Sequence, residues 1–184
     1  LSGIKDILII VNKGQLNQFK KILKNGENFG INIQYKEQLK PNGLPEAFIL
    51  GEKFIQKNNV ALILGDNFFY GQSLTIKLEK SLKHNIGARI FLKEVRKPEN
   101  YGVAKIKNNI IQKIIEKPKK YISNYAITGL YFFDSNVCNY AKKLKPSRRG
   151  EIEITDLLNI YRKKNQLSFE RIGRGAIWSD AGKM

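Results

Sequence analysis

Four short stretches of the 184-residue chain set a carboxylate, an amide or a lysine beside Gly or Pro: "EQLKPNGLPEA" (residues 37–47), "LGDN" (64–67), "EKP" (116–118) and "WSDAG" (178–182). At Gly and Pro the backbone can turn sharply or come close to a ligand, so polar side chains there are placed for contact. Asp66 is the sharpest case. It follows the apolar run Val60–Leu64 and is itself followed by Asn67, Phe68, Phe69 and Tyr70. Open α/β sheets keep their ligands just beyond the carboxyl ends of strands, which is where Asp66 would stand. Taken singly, each stretch reads as a turn rather than a site, because Asp, Asn and Pro-Asn-Gly are ordinary turn formers.

Those side chains need elements to hold them, and the hydrophobic pattern alternates between strand and helix. Ile7–Val11, Asn32–Lys36 and Val60–Leu64 read as strands. Gln15–Leu23 and Pro45–Ile55 read as helices, the second presenting Phe48, Ile49 and Phe54 to a sheet, and Ser73 is the predicted N-cap of a helix to Lys83. From Gly87 the pattern turns strand-rich, with "GARIFLKEV", two alternating segments joined as a hairpin at Asn108-Asn109, and "YAITGLYFFD". Asp134 is expected to cap a helix through Leu144, "GEIEITDLLNIYRKK" reads as an amphipathic helix and "LSFERI" as a strand. Repeated βαβ order predicts an α/β fold with a largely parallel sheet and helices on both faces. With no internal repeat and no Ser/Pro/Gly-rich linker, residues 1–184 are expected to form a single domain.

Composition narrows the chemistry. The 42% hydrophobic content suits a globular core, and no apolar run approaches the roughly 18 residues of a membrane span. No signal-peptide pattern is visible, so a cytoplasmic protein with no membrane partner is expected. Cys138 and His84 are the sole cysteine and histidine, which excludes an internal disulfide and a Cys/His metal cluster. The 33 Lys and Arg against 16 Asp and Glu give +17, a balance that attracts polyanions, phosphorylated metabolites among them. These residues are scattered rather than gathered, so they read as a solvated surface and no nucleic-acid partner is expected.

The ordered set "IKDILII", "FGINIQYKEQLKPNGLPEAFILGE", "LILGDNFFYG", "YGVAKI", "IIEKPKKYISNYAITGLYFFD", "LKPSRRGEIEITDLLNIY" and "GRGAIWSDAG" closely resembles the sugar-nucleotide pyrophosphorylases, and within them the glucose-1-phosphate thymidylyltransferases. The resemblance runs through nearly the whole chain. It implies a Rossmann-like three-layer α/β/α fold with a mixed, mostly parallel sheet. It also implies nucleotidyl transfer, in which the phosphate of glucose 1-phosphate attacks the α-phosphorus of dTTP to give dTDP-glucose and pyrophosphate. That chemistry gathers negative charge, so it calls for cations and positioning rather than a covalent nucleophile.

By the same resemblance, Asp66, Lys117 and Asp180 fall at catalytic positions, and Asp66 and Asp180 are the carboxylates that would hold Mg²⁺, a hard cation that takes one or two carboxylates plus phosphate oxygens. Gln38, Pro41 and Gly43, with Asp66, match nucleotide-binding positions. The glutamine would read thymine through an amide that both donates and accepts, and the glycine would do so by close backbone approach. Tyr101, Gly102, Glu116, Lys117 and Ile127 match positions that bind the sugar phosphate, Glu116 accepting from sugar hydroxyls and Lys117 supplying a point charge. Trp178 is expected to pack beside the site. The resemblance further implies a homotetramer and a role in making dTDP-sugar for rhamnose-type cell-surface polysaccharide such as O-antigen.

Two departures from the family pattern stand out. Its N-terminal strand and glycine-rich loop, GGxGTRLxPxT, are not in these residues, and "LSGIKD" and "AIWSDAGKM" read as cut ends of a longer protein. The chain by itself is therefore expected to be inactive and to expose apolar sheet edges. Ser179, Ala181 and Lys183 also stand where the family usually has an apolar residue, Thr and Thr. Two alternatives remain open from these residues: a transferase for another nucleotide or sugar, and a non-catalytic nucleotide-binding protein.

Overall fold

The computed structural model describes residues 2–83 and 86–183, which leaves His84 outside the described residues. The chain is organised around β8 (Tyr125–Phe133), whose residues from Ala126 onward are all buried. "YAITGLYFF" carries no polar alternation, as suits a strand covered on both faces. β5 (Ala88–Glu94) lies antiparallel along β8, and β9 (Leu167–Ile172) adds to β5 in parallel. β6 (Gly102–Lys107) and β7 (Ile110–Glu116) form the expected hairpin. Asn108 and Asn109 turn it with φ of 50° and 59°, the left-handed pair that matches strand twist.

The feature that makes room for a site is a hand-over along one edge of β8. β3 (Val60–Ile63) pairs antiparallel with its last residues, Ile63 opposite Leu130, while β6 pairs near its start, Val103 opposite Ala126. β3 therefore ends, and β6 begins, around Gly129. Asp66 follows the first strand and Tyr101 precedes the second, so two polar segments remote in sequence meet at the fork.

The fold is mixed α/β, as expected, but the share of parallel pairing is smaller. Among the described residues only β5–β9 and the separate pair of β1 (Asp6–Asn12) with β2 (Asn32–Gln38) run parallel. The reason is local: hairpin connection and the long return of β8 both impose antiparallel neighbours. The sheet also breaks between β1 and β3. An apolar cleft of about 760 Å³, lined by Ile7, Leu8, Phe54, Leu62 and Phe132 among others, separates them.

Three further differences have physical causes. The helix expected over Gln15–Leu23 forms as α1 (Leu16–Leu23), whereas the one expected over Pro45–Ile55 is two, α2 (Glu46–Leu50) and α3 (Glu52–Ile55), broken at Gly51, where a Cβ would lie 2.9 Å from the Ala47 carbonyl oxygen and 3.2 Å from Leu8. Phe48 is fully buried and meets Phe133 edge-on at 5.1 Å, whereas Ile49 is exposed. Ser73 precedes α4 (Leu74–Leu82) in a left-handed conformation and makes no capping hydrogen bond.

Asp134 is buried between β8 and α5 (Val137–Ala141), and its Oδ1 accepts from the Asn136 backbone N–H at 3.0 Å. α6 (Ile154–Lys163) packs its Leu157, Leu158 and Tyr161 into the same core. No helix among the described residues is long and apolar enough to cross a membrane.

Candidate active site

The two aspartates are brought together by an element the sequence did not announce. "NFFYG" is not a turn after β3 but a strand, β4 (Asn67–Gly71), paired antiparallel with β10 (Ala176–Asp180). The register sets Asn67 opposite Asp180, so Asp66 and Asp180 leave the ribbon at the same end. Ala181 N donates to the Asp66 carbonyl oxygen at 2.8 Å and closes that end. A Cβ on Gly182 would lie 2.7 Å from Asp66 Oδ2 and 3.3 Å from Asp180 Oδ1, so both carboxylates converge on the bare glycine α-carbon.

Asn67 is the hub that anchors the ribbon to the sheet. Its Nδ2 donates to Asp66 Oδ1 at 2.8 Å, while its Oδ1 accepts from Gly129 N at 2.9 Å and from Trp178 Nε1 at 2.6 Å. A Cβ on Gly129 would sit 2.5 Å from that same oxygen, which explains a glycine in the middle of the buried strand β8. Asp180 is oriented by a backbone donor, Gly182 N to Oδ1 at 3.1 Å, in the place where the family pattern suggests a hydroxyl. Among the described residues, no group of three or more His, Cys, Asp or Glu converges to hold a metal, and the carboxylates beside Gly182 are the pair Asp66 and Asp180.

Trp178 connects this end to the second cluster, its ring meeting Tyr101 edge-on at 5.1 Å. Burial, and then the charge of Asp180, raise the Tyr101 hydroxyl above its ordinary range, so it stays protonated beside the carboxylates. Next to Tyr101, Gly102 pairs with Glu116 across the β6–β7 hairpin. A Cβ on Gly102 would lie 2.9 Å from Thr155 Cγ2, 3.1 Å from Glu116 Oε2 and 3.6 Å from Ile127 Cδ1. The glycine therefore leaves the space that these three side chains enclose. Lys117 is exposed and held at φ 39°, a strained conformation for a lysine, with its N–H donating to the Tyr101 carbonyl oxygen at 3.0 Å.

Two residues that the sequence reading missed complete this pocket. Thr155, in the first turn of α6, hydrogen-bonds Glu116, and Arg149 Nη1 lies 3.8 Å from Glu116 Oε1 and 3.6 Å from Glu153 Oε1. The "RRGE" turn ahead of a helix was the available signal, but nothing local said which strand that turn would face. Burial, then the Glu153 charge, push the Glu116 carboxyl up, with Lys117, Arg149 and Thr155 pulling against the rise.

A carboxyl whose folded pKa exceeds its unfolded one takes up a proton on folding, so its ionisation opposes folding as pH rises through the raised value. Glu116→Gln in the whole protein is thus expected to equal or exceed wild type in Tm near pH 7, with the advantage gone at about pH 3, where the carboxyl is protonated in the folded and unfolded states alike. Thermal denaturation at the two pH values checks it, and a lower Tm near neutrality would count against the buried-charge account.

The third cluster holds Gln38 at the end of β2, exposed Pro41, and Gly43. Gly43 adopts φ 108°, and a Cβ there would lie 2.0 Å from the Ile152 carbonyl oxygen. Ile152 N donates to the Asn42 carbonyl oxygen at 2.8 Å. The loop bearing Gln38 and Gly43 is thereby clamped to the loop bearing Arg149, so the glycine has a packing reason of its own beside any contact with a base. Gly43→Ala is expected to lower unfolding free energy by about 2 kcal/mol, read from the denaturant midpoint, because it combines backbone strain with a backbone clash. A loss within the roughly 0.5 kcal/mol of a neutral surface change would mean that the loops separate freely.

Comparisons with known proteins identify the family. The family model described as nucleotidyl transferase matches residues 1–184. Glucose-1-phosphate thymidylyltransferase of Neisseria meningitidis serogroup A is 46% identical over 183 residues, covering 99% of this chain and 64% of its own length. The protein of that name from Mycobacterium tuberculosis is 39% identical, again over 99% of this chain and 63% of its own. The chain thus spans just under two thirds of these relatives. Among solved structures, a Bacillus anthracis protein described as a glucose-1-phosphate thymidylyltransferase in complex with sucrose superposes with a TM-score of 0.88 at 40% identity, covering 97% of this chain and 71% of its own. A UDP-glucose pyrophosphorylase complexed with UDP-glucose has a TM-score of 0.81 at 22% identity, covering 98% of this chain and 77% of its own, a likeness of fold alone.

Proposed function

We propose, since the chain belongs to the nucleotidyl transferase family, that the whole protein transfers a thymidylyl group from dTTP to glucose 1-phosphate. A phosphate oxygen of the sugar phosphate attacks the α-phosphorus, the bond from that phosphorus to the bridging oxygen breaks, and pyrophosphate leaves with the electron pair. The observation that carries this reading is the convergence of Asp66 and Asp180 on Gly182 beside the pocket enclosed by Gly102, Glu116, Ile127 and Thr155. It is supported by the shared name of the relatives above.

In this reading the hexose occupies the Gly102 pocket. Glu116 accepts from its hydroxyls, and the wall of Ile127 and Tyr101 excludes water from one side. Lys117 sets a positive charge against the phosphate, and Gln38 with the Gly43 backbone reads the base, Pro41 shaping the turn between them. The carboxylates of Asp66 and Asp180 are hard oxygen donors with open approach, and they fit Mg²⁺. When bound, the metal would supply charge neutralisation and orientation for the triphosphate. We place the product in dTDP-sugar supply for rhamnose-type surface polysaccharide, in a cytoplasmic homotetramer.

The test is pyrophosphate release by the whole protein from dTTP or UTP, with and without glucose 1-phosphate and Mg²⁺. Release that requires dTTP, the sugar phosphate and the metal together supports the reading. Equal turnover of UTP would move the assignment to a broader nucleotidyltransferase, and no release in any combination would favour a binding protein.

A further inference from the structure

Glu46 has no part in the roles assigned above, yet it accepts three hydrogen bonds from the loop that bears Gln38 and Gly43. It stands half-buried in the first turn of α2. Its Oε2 accepts from Gln38 Nε2 and, at 3.4 Å, from Asn42 N, and its Oε1 accepts from Asn42 Nδ2 at 2.8 Å. A carboxylate only accepts, whereas an amide donates at one end and accepts at the other. Rotating the Gln38 amide by a half-turn would set its Oε1 against Glu46, exchanging a charge-assisted hydrogen bond for two opposed acceptors. The amide therefore has one orientation, with Oε1 and the second N–H left to face a ligand.

We infer that Glu46 is a specificity-determining positioning residue, which makes the site reject cytosine by preventing the Gln38 amide from flipping. The inference rests on the reading above that Gln38 faces the base. Thymine and uracil present an N3–H donor next to an O4 acceptor, while cytosine presents an N3 acceptor next to an N4 amino donor. These patterns are mirror images, and a free amide satisfies either by turning over. An amide held by Glu46 meets cytosine acceptor to acceptor and donor to donor, leaving polar groups unpaired in a half-buried site. The 5-methyl group plays no part in this lock, so thymine and uracil are treated alike by it.

The experiment compares kcat/KM for dTTP, dUTP and dCTP in the whole protein and in Glu46→Gln, Glu46→Ala and Gln38→Ala variants. Ratios taken within one preparation cancel differences in folded fraction, and calorimetric binding of the three nucleotides gives the same ratios without turnover. Glu46→Gln keeps the shape but can donate or accept, so both amides can turn over together. The dTTP:dCTP ratio is expected to fall about tenfold, the scale of one lost hydrogen-bond preference, with dTTP:dUTP unchanged. Glu46→Ala is expected to move the ratios in the same direction.

If Gln38→Ala leaves dTTP:dCTP at the wild-type value, Gln38 does not read the base and the underlying assignment fails. If Gln38→Ala lowers the ratio but both Glu46 variants keep it, the assignment stands and the lock is overturned. An equal loss for all three nucleotides in the Glu46 variants would likewise reduce Glu46 to a structural role.

Discussion

Asp66→Asn in the whole protein is expected to cut Mg²⁺-dependent pyrophosphate release by at least about a hundredfold while leaving Tm within a degree or two of wild type, since surface changes cost little stability. The asymmetry follows from the geometry. The Asp66 side chain is exposed, and among the described residues the side chain that hydrogen-bonds it is Asn67, through Nδ2. Asn67 is held independently by Gly129 and Trp178, so the ribbon stays docked when the neighbouring charge is removed. What is lost is half of the negative charge that converges on Gly182, where a divalent cation and a triphosphate would meet. Raising the Mg²⁺ concentration is expected to recover part of the activity, because the remaining carboxylate still contributes affinity. Pyrophosphate release measured across a metal titration decides the matter; full activity at wild-type Mg²⁺ would remove Asp66 from the metal site and the proposed function with it.

The second large effect concerns stability and does not depend on any assignment of function. Asp134→Ala is expected to lower the unfolding free energy by about 3–5 kcal/mol, near the upper end for a single replacement. Asp134 is almost wholly buried, and both of its oxygens are used. Oδ1 accepts from Tyr161 OH at 2.9 Å and from Asn136 N at 3.0 Å, and Oδ2 accepts from Gly87 N at 2.8 Å. Burial, followed by the hydrogen bond to Asp134, pushes the Tyr161 hydroxyl far above its ordinary range, so it remains a donor throughout the accessible pH range. Removing the carboxylate strands a hydroxyl and a backbone N–H in the core. Tyr161→Phe deletes one donor to a carboxylate that keeps its others, so it is expected to cost less, about 1.5–3 kcal/mol. Chemical denaturation of both variants tests the contrast. Similar losses would mean that the cost lies in packing around Tyr161 rather than in unmet hydrogen bonds.

How much of this was visible in the chain itself differs from residue to residue. Elements stabilised by near neighbours were legible: the alternating strands, the Asn108-Asn109 hairpin and the amphipathic α6 follow from side-chain period and turn chemistry, both of which act over a few residues. The polar segments at Asp66, Glu116 and Asp180 were legible as candidate positions because they interrupt apolar runs beside Gly or Pro. The β4–β10 ribbon was not, since "NFFYG" and "AIWSD" become strands through pairing with each other, and Gly71 and Ala176 are 105 positions apart in the chain. Asn67, Thr155, Arg149 and Glu46 were likewise silent. Each is an ordinary polar residue until a distant backbone or carboxylate is brought within about 3–4 Å of it, the reach of a hydrogen bond or ion pair. Residue order fixes which side-chain types are available and where the chain can turn to present them. Which of them meet is decided in space, because hydrogen bonds and charge interactions act over a few ångströms, and the hand-over from β3 to β6 along β8, together with the β4–β10 ribbon, brings remote segments that close.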